Sequence, residues 1–227
     1  VGFTSAVIVA GGSGLRMGSD IPKQFLELKG HPVLFHTLMK FDCINEIDEI
    51  IIVVPQNLKE SSEKQINEFD LKKPFRVKSG GRTRQESVKE GLSCISAESS
   101  KVLIHDGVRP FVKKEEIRSL INELDFFDGV ILGLSVVETI KKTDDQNIVS
   151  QTIPRDNIFL AQTPQGFRVS VLKKVHEWAL EDGLVLTDDA ALLENFGFRV
   201  KVLEGSRENI KITTPSDLEF GKKILGF

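Results

Sequence analysis

Cysteine is scarce in this chain: Cys43 and Cys94 are the only two among 227 residues. They form no C-x-x-C pair, which leaves neither a disulfide framework nor a thiolate metal site. Both are expected to be reduced thiols buried in the core of a cytoplasmic protein. If a transit segment had been removed before Val1, an organelle stroma would be the alternative compartment. Histidine is also sparse. His31, His36 and His176 lack metal-ligand spacing, and His105 at a strand end is expected to be a hydrogen-bonded structural residue. No apolar run approaches the 18 or so residues of a membrane span. There is no basic excess either, since 30 Lys and Arg face 33 Asp and Glu for a net charge of −3 at pH 7. That balance argues against a dedicated nucleic-acid binder and leaves a small ligand as the expected partner.

Both standard glycine signatures are missing. No glycine stands at the G-x-x-x-x-G-K-S/T spacing of a P-loop. The dinucleotide pattern G-x-G-x-x-G is half met by Gly12-Ser13-Gly14, but the next glycine, Gly18, falls one residue late. The second predicted strand ends Ile52-Val53-Val54-Pro55, with no Asp or Glu to hold a ribose diol. Hydride transfer is disfavoured on both counts.

What is present begins at Val7 to Lys23, where a run of β-branched residues breaks into a glycine-rich loop carrying Arg16 and Lys23. Glycines let the main chain approach a ligand closely, so backbone N–H groups can converge on phosphate oxygens while the cations offset their charge. A pair of solvated surface cations is the plainer reading of Arg16 and Lys23, and their shared loop after a buried strand favours phosphate contact. Lys211, in a predicted strand, has an ordinary edge lysine as its plainer reading.

Apolar runs alternate with helical periodicity, the mark of a mostly parallel sheet covered by helices on both faces. Strands are expected at Ala6 to Ala10, Glu49 to Val54, Phe75 to Lys78, Val102 to Ile104, Gly129 to Val136, Phe198 to Leu203 and Asn209 to Thr213. Asn57 to Phe69 reads as an amphipathic helix, and another helix runs from about Val169 to Leu180. A final helix is capped by Thr214, with Pro215 in its first turn and Asp217 three residues past the cap. Between Val137 and Ile153 the chain turns polar and β-prone, as in a two-stranded excursion turning near Asp144 to Asn147. An isolated hairpin is marginal in water, so a partner subunit is one surface for it to pack on. Nothing marks a linker or repeat, so residues 1–227 are read as a single domain with a β-arm at about 137–157.

Several motifs stand in order along the whole chain: A-G-G-S-G-L-R-M-G…P-K-Q-F, G-G-R-T-R-Q-E-S-V at Gly80 to Val88, H-D-G-V-R-P at His105 to Pro110, Q-T-P-Q at Gln162 to Gln165, T-D-D-A at Thr187 to Ala190, and N-I-K-I-T at Asn209 to Thr213. In these the chain resembles the 2-C-methyl-D-erythritol 4-phosphate cytidylyltransferases. The resemblance implies a Rossmann-like nucleotidyltransferase fold, CTP as co-substrate, Mg2+ bridging the CTP phosphates, and a homodimer whose projecting arm reaches the partner's site. It assigns nucleotide contacts to Ala10, Gly11, Gly12, Gly14, Gly81 and Ser87, and charge stabilisation to Arg16, Lys23 and Lys211. It also gives Asp106, Arg109, Thr139, Arg155, Thr163 and Thr187 to the acceptor phosphate or to completing the active site, with Arg155 and Thr139 acting across the dimer.

Plainer readings compete at two of these places, an ordinary turn at Gly80-Gly81 and a turn aspartate at Asp106. The chain also departs from the common family pattern at Leu15, Arg82 and Gly107-Val108. Ribitol 5-phosphate cytidylyltransferases share the loop and often show H-D-x-V-R-P, so transfer to ribitol 5-phosphate or another polyol phosphate is an alternative. A non-catalytic nucleotide-binding module is a remote one.

Overall fold

The computed structural model describes residues 2–12 and 22–226. In chain order the elements are β1 (Phe3–Val9), β2 (Glu27–Leu28), β3 (His31–Pro32), α1 (Val33–Asp42), β4 (Glu49–Val54), α2 (Lys59–Asn67), β5 (Phe75–Ser79), α3 (Arg84–Leu92) and β6 (Ser99–Asp106). They continue with α4 (Lys114–Glu123), β7 (Gly129–Ser135), β8 (Ile140–Thr143), β9 (Val149–Ile153), β10 (Phe159–Arg168), α5 (Val169–Glu181), α6 (Asp189–Asn195), β11 (Val200–Glu204) and α7 (Pro215–Ile224).

A seven-stranded sheet has the order β11-β7-β10-β6-β1-β4-β5. All its pairings are parallel except those of β10, which runs antiparallel to both β6 and β7. Both faces are covered, and the alternation along the strands shows how. Ala6 and Ile8 of β1, with Ile50, Ile52 and Val54 of β4, pack toward α1, α2 and α4. Val7, Ile51 and Val53 point the other way, into the cluster shared with α3, α5 and α6. A strand buried on both faces carries apolar residues at every position, which is why Glu49–Val54 was so clear in the sequence.

The β8–β9 hairpin forms a separate two-stranded sheet. Its turn falls where the polar Thr-Asp-Asp-Gln-Asn run predicted it: the Asp144 carboxylate accepts from the N–H groups of Gln146 and Ile148, and Asn147 has φ 62. The last helix is also as expected. Thr214 accepts from Asp217 N, while the Asp217 carboxylate accepts from the N–H groups of Thr213 and Thr214.

Three expectations are corrected. Asn209–Thr213 is not a strand. Its alternating Ile210 and Ile212 fill a small cluster with Leu28, Val33, Val108 and Phe111, and Ile212 N bonds Val108 O at 2.9 Å, so the alternation reports burial without ladder pairing. The sequence reading also passed over strand β10. Pro164 interrupts its pattern, and it sits at the register irregularity between Gln162 and Gln165, the position a sheet tolerates for a residue lacking N–H. Finally, both cysteines are free thiols but not fully buried: Cys43 is exposed, and Cys94 is half-buried at the edge of the core cluster shared with α3 and α5. Cys43 follows the last turn of α1 and its thiol bonds Lys40 O. Trp178 does pack on the α5–α6 side of the core, against Phe196 and Phe198. No helix among the described residues is long and apolar enough to cross a membrane.

Candidate active site

Strands β1 and β6 are neighbours with Val9 opposite Asp106, so the glycine loop and the His105–Pro110 segment leave the sheet at the same edge. The two exits are tied together by Gly107 N bonding Val9 O at 2.8 Å. A cavity of about 390 Å3 opens there, bordered by Gly11 and Gly12, Lys23, the Gly81–Arg84 turn, Ser87, Asp106 and Lys211. Ligands of open α/β sheets bind at this carboxyl edge. Lys23 begins a short 3-10 turn and is only 8% exposed, packed so that a Cβ on Gly12 would lie 3.2 Å from its Cε. Gln24 holds that turn to the loop by donating to Ala10 O at 2.8 Å. Arg16 and Gly14 lie outside the described residues.

Opposite the loop, Gly80 and Gly81 are dictated by crowding. A Cβ at Gly81 would stand 2.3 Å from Glu86 Cβ, and one at Gly80 would stand 2.6 Å from Ser87 Oγ. Thr83 caps α3 by accepting from Glu86 N, and its own carbonyl takes the Ser87 hydroxyl at 2.9 Å. The turn is therefore built to bring the start of α3 against the cavity.

Asp106 is the electrostatic centre of the far wall. Lys211 Nζ lies 2.9 Å from its carboxylate, Arg84 Nε 3.4 Å and Arg109 Nε 3.6 Å. Burial by itself would raise the Asp106 pKa, but Arg84, Lys211 and Arg109 outweigh it and hold the carboxyl well below the usual range. Asp106 is thus an anion carrying a surplus of cations, a site ready to take a further negative group. Lys211 and Arg109 are presented by the 209–213 segment and the turn after β6, which are joined by Arg109 donating to Asn209 O at 2.7 Å.

Behind Asp106 lies a closed polar chain. Its N–H donates to Thr163 Oγ1 at 3.0 Å, and the threonine hydroxyl lies 3.0 Å from His105 Nδ1, to which it donates because the ring proton is needed on Nε2. His105 Nε2–H then donates to Arg109 O at 3.0 Å. This fixes a neutral tautomer for a fully buried ring, whose pKa burial pushes down to about 3. His105 is structural, as expected, and Thr163 supports the wall from behind.

Not every predicted position meets at the cavity. Thr139 and Arg155 are exposed at the base of the arm, where the Arg155 guanidinium bonds Val137 O. Thr187 is exposed on the loop before α6. None of the three borders the cavity within one chain, and Arg109 and Thr163 reach it only through Asp106, which they contact from behind the lining. The sequence reading missed Arg84, a 26% exposed guanidinium joining Asp106 to Asp189. One signal was available. A cation as the first residue of a helix opposes the macrodipole, and such local misfits mark functional places.

A mostly parallel sheet with Gly11, Gly12 and a cluster of cations at its carboxyl edge is an α/β protein built to bind an anionic ligand there, as α/β nucleotidyltransferases are. The family profile of 2-C-methyl-D-erythritol 4-phosphate cytidylyltransferase (IspD) matches residues 4–226. The Clostridium novyi and Caldanaerobacter subterraneus proteins of that name are 40% and 41% identical, over 97% of this chain and 95% and 98% of theirs. Among solved structures, the 4-diphosphocytidyl-2C-methyl-D-erythritol synthase of Anaerococcus prevotii superposes with a TM-score of 0.87 at 36% identity, covering 100% of this chain and 99% of its own. The chain belongs to the 2-C-methyl-D-erythritol 4-phosphate cytidylyltransferase family.

Proposed function

We propose that the cavity at the β1–β6 edge is where this enzyme joins CTP to 2-C-methyl-D-erythritol 4-phosphate. The reaction of the family yields 4-diphosphocytidyl-2-C-methyl-D-erythritol and pyrophosphate, a step in non-mevalonate isoprenoid precursor synthesis. A phosphate oxygen of the acceptor attacks the α-phosphorus of CTP, the bond from that phosphorus to the bridging oxygen breaks, and pyrophosphate leaves with the electron pair. The nucleophile is already anionic near neutral pH, so the protein need only align the reactants and stabilise charge. On this reading Lys23 and Arg16 hold the triphosphate from the loop side. Ala10, Gly11, Gly12, Gly14, Gly81 and Ser87 receive the nucleotide. Asp106, Arg109 and Lys211 receive the acceptor phosphate, with Thr163 bracing Asp106. Residues 1–227 act as one nucleotidyltransferase domain, and the bacterial relatives favour a cytoplasmic setting.

The observation that carries the assignment is the concentration of Arg84, Arg109 and Lys211 around the single Asp106 carboxylate at the cavity wall. Magnesium belongs to this proposal as a companion of the nucleotide. Among the described residues no group of three or more His, Cys, Asp or Glu could hold a metal ion, and Asp106 already has its charge met. Its ligands would be triphosphate oxygens and water.

A homodimer completes the reading. The arm and its base expose Val137, Ile148, Val149 and Leu160, each more than half accessible, beside Thr139 and Arg155. A hairpin with exposed apolar residues and two polar residues outside its own cavity is suited to closing over a second copy.

The test is an acceptor panel with CTP, ATP, GTP and UTP as donors. Pyrophosphate release with CTP and the methylerythritol phosphate, at a kcat/KM well above that for ribitol 5-phosphate, is expected. Preference for ribitol 5-phosphate would overturn the acceptor, and CTP binding without turnover on any polyol phosphate would overturn the activity.

A further inference from the structure

Arg84 is held from behind by residues that never reach the cavity. Its Nη1 lies 2.6 Å from Asp189 Oδ2, and the other carboxylate oxygen, Oδ1, accepts from His176 Nε2 at 3.0 Å. Asp189 is 1% and His176 3% exposed, so both are sealed between α5 and α6. Burial would raise the Asp189 pKa, but Arg84 and the His176 bond outweigh it and keep the carboxyl ionised. The remaining nitrogen of the guanidinium, Nη2, has no partner among the described residues, and Arg84 borders the cavity. A free arginine side chain samples many rotamers; one nitrogen anchored on a buried carboxylate fixes the plane of the fork.

We propose that Asp189, held by His176, is a positioning residue that fixes Arg84 and through it sets the Asp106 carboxylate for the acceptor phosphate. The inference rests on the site described above. Asp189 acts at a distance because Arg84 divides itself between two carboxylates. With the charge of Asp189 gone, the guanidinium closes fully on Asp106 and competes there with Lys211, whose Nζ is 2.9 Å away. The net positive charge of the cluster rises by one, but the Arg84 and Lys211 donors are no longer held where the phosphate is received.

The test is a double-mutant cycle in the full-length enzyme, with CTP saturating and the acceptor varied. Asp189→Asn should lower kcat/KM for the polyol phosphate about tenfold, chiefly through KM, and Arg84→Lys should lower it at least as much. The double variant should be no worse than Arg84→Lys alone, because both changes remove one device. Additive losses, or an Asp189→Asn enzyme with normal kcat/KM, would overturn the proposal. A structural role alone would lower urea stability and leave the kinetic effects additive. If Asp189→Asn does not fold, His176→Gln takes its place in the same cycle. The wild-type enzyme is run on both methylerythritol and ribitol phosphates, and the cycle uses whichever acceptor it prefers. A wrong acceptor therefore shows in the wild type, and a wrong positioning role shows only in the cycle.

Discussion

At the scale of single residues, the site depends on charges placed where charges are expensive. Lys23 is the clearest case, a lysine with 8% exposure packed on Gly12. Loss of a transition-state contact of this kind costs on the order of 100-fold or more in turnover. Lys23→Ala should therefore depress kcat by that order in a steady-state assay, with the fold intact by circular dichroism; near-normal turnover would remove Lys23 from the site. His105 makes a different prediction. Its folded pKa of about 3 lies below the reference value of 6.5, so between those values the unfolded chain binds a proton that the folded chain refuses. Stability from this ring is complete above pH 6.5 and is lost as pH falls toward 3, at a slope of up to ~1.4 kcal/mol per pH unit. Urea unfolding at pH 7.5 and 5.0 should show the loss in the wild type and a smaller one in His105→Gln. Equal slopes in the two proteins would show that the ring is not what titrates.

At the scale of elements, β10 organises the site although it contributes little to the cavity wall. Its side chains tie three distant segments to the sheet edge: Gln162 bonds Ser206 O, Thr163 bonds Asp106 N and His105, and Gln165 bonds Asp188 at the cap of α6. The Q-T-P-Q motif was visible in the sequence; that it lies on an antiparallel strand between β6 and β7 was not, because Pro164 breaks the period that reveals strands. Helix α3 shows the reverse case, where sequence and packing agree. Gly91 lets α3 approach β1 so closely that a Cβ there would fall 2.4 Å from Val7 Cγ1. Alanine would add up to ~1 kcal/mol of helix propensity, against about 1–3 kcal/mol of overpacking in a filled core. Gly91→Ala should lower the urea midpoint and weaken CTP binding by displacing Thr83 and Ser87. An unchanged midpoint would mean that the interface yields freely.

At the scale of the whole molecule, the arm is a part that buries little of itself among the described residues. Strands β8 and β9 pair only with each other, and their residues are exposed or at most half-buried. Sedimentation should give a dimer. Replacing Val149 and Leu160 by Asp should shift it to monomer, and if Thr139 and Arg155 serve the partner's cavity as proposed, activity should fall with it. A monomeric variant with full activity would confine the site to one chain.

The sequence alone determined the layered α/β architecture, the buried strands, the arm turn at Asp144 to Asn147 and the cap of α7, since each follows from local periodicity or from side chains that bond their own backbone. It also marked the glycine loop, Lys23 and Lys211 as phosphate-facing candidates. Only the tertiary structure decided that Asp106 gathers Arg84, Arg109 and Lys211, that Thr163 stands behind the wall, and that Asn209–Thr213 is held by Val108 and not by a strand. Those contacts join residues as far apart as 105 positions, as Asp106 and Lys211 are. No local pattern carries them, because they arise where the sheet order brings the ends of β1 and β6 together with loops from the far end of the chain.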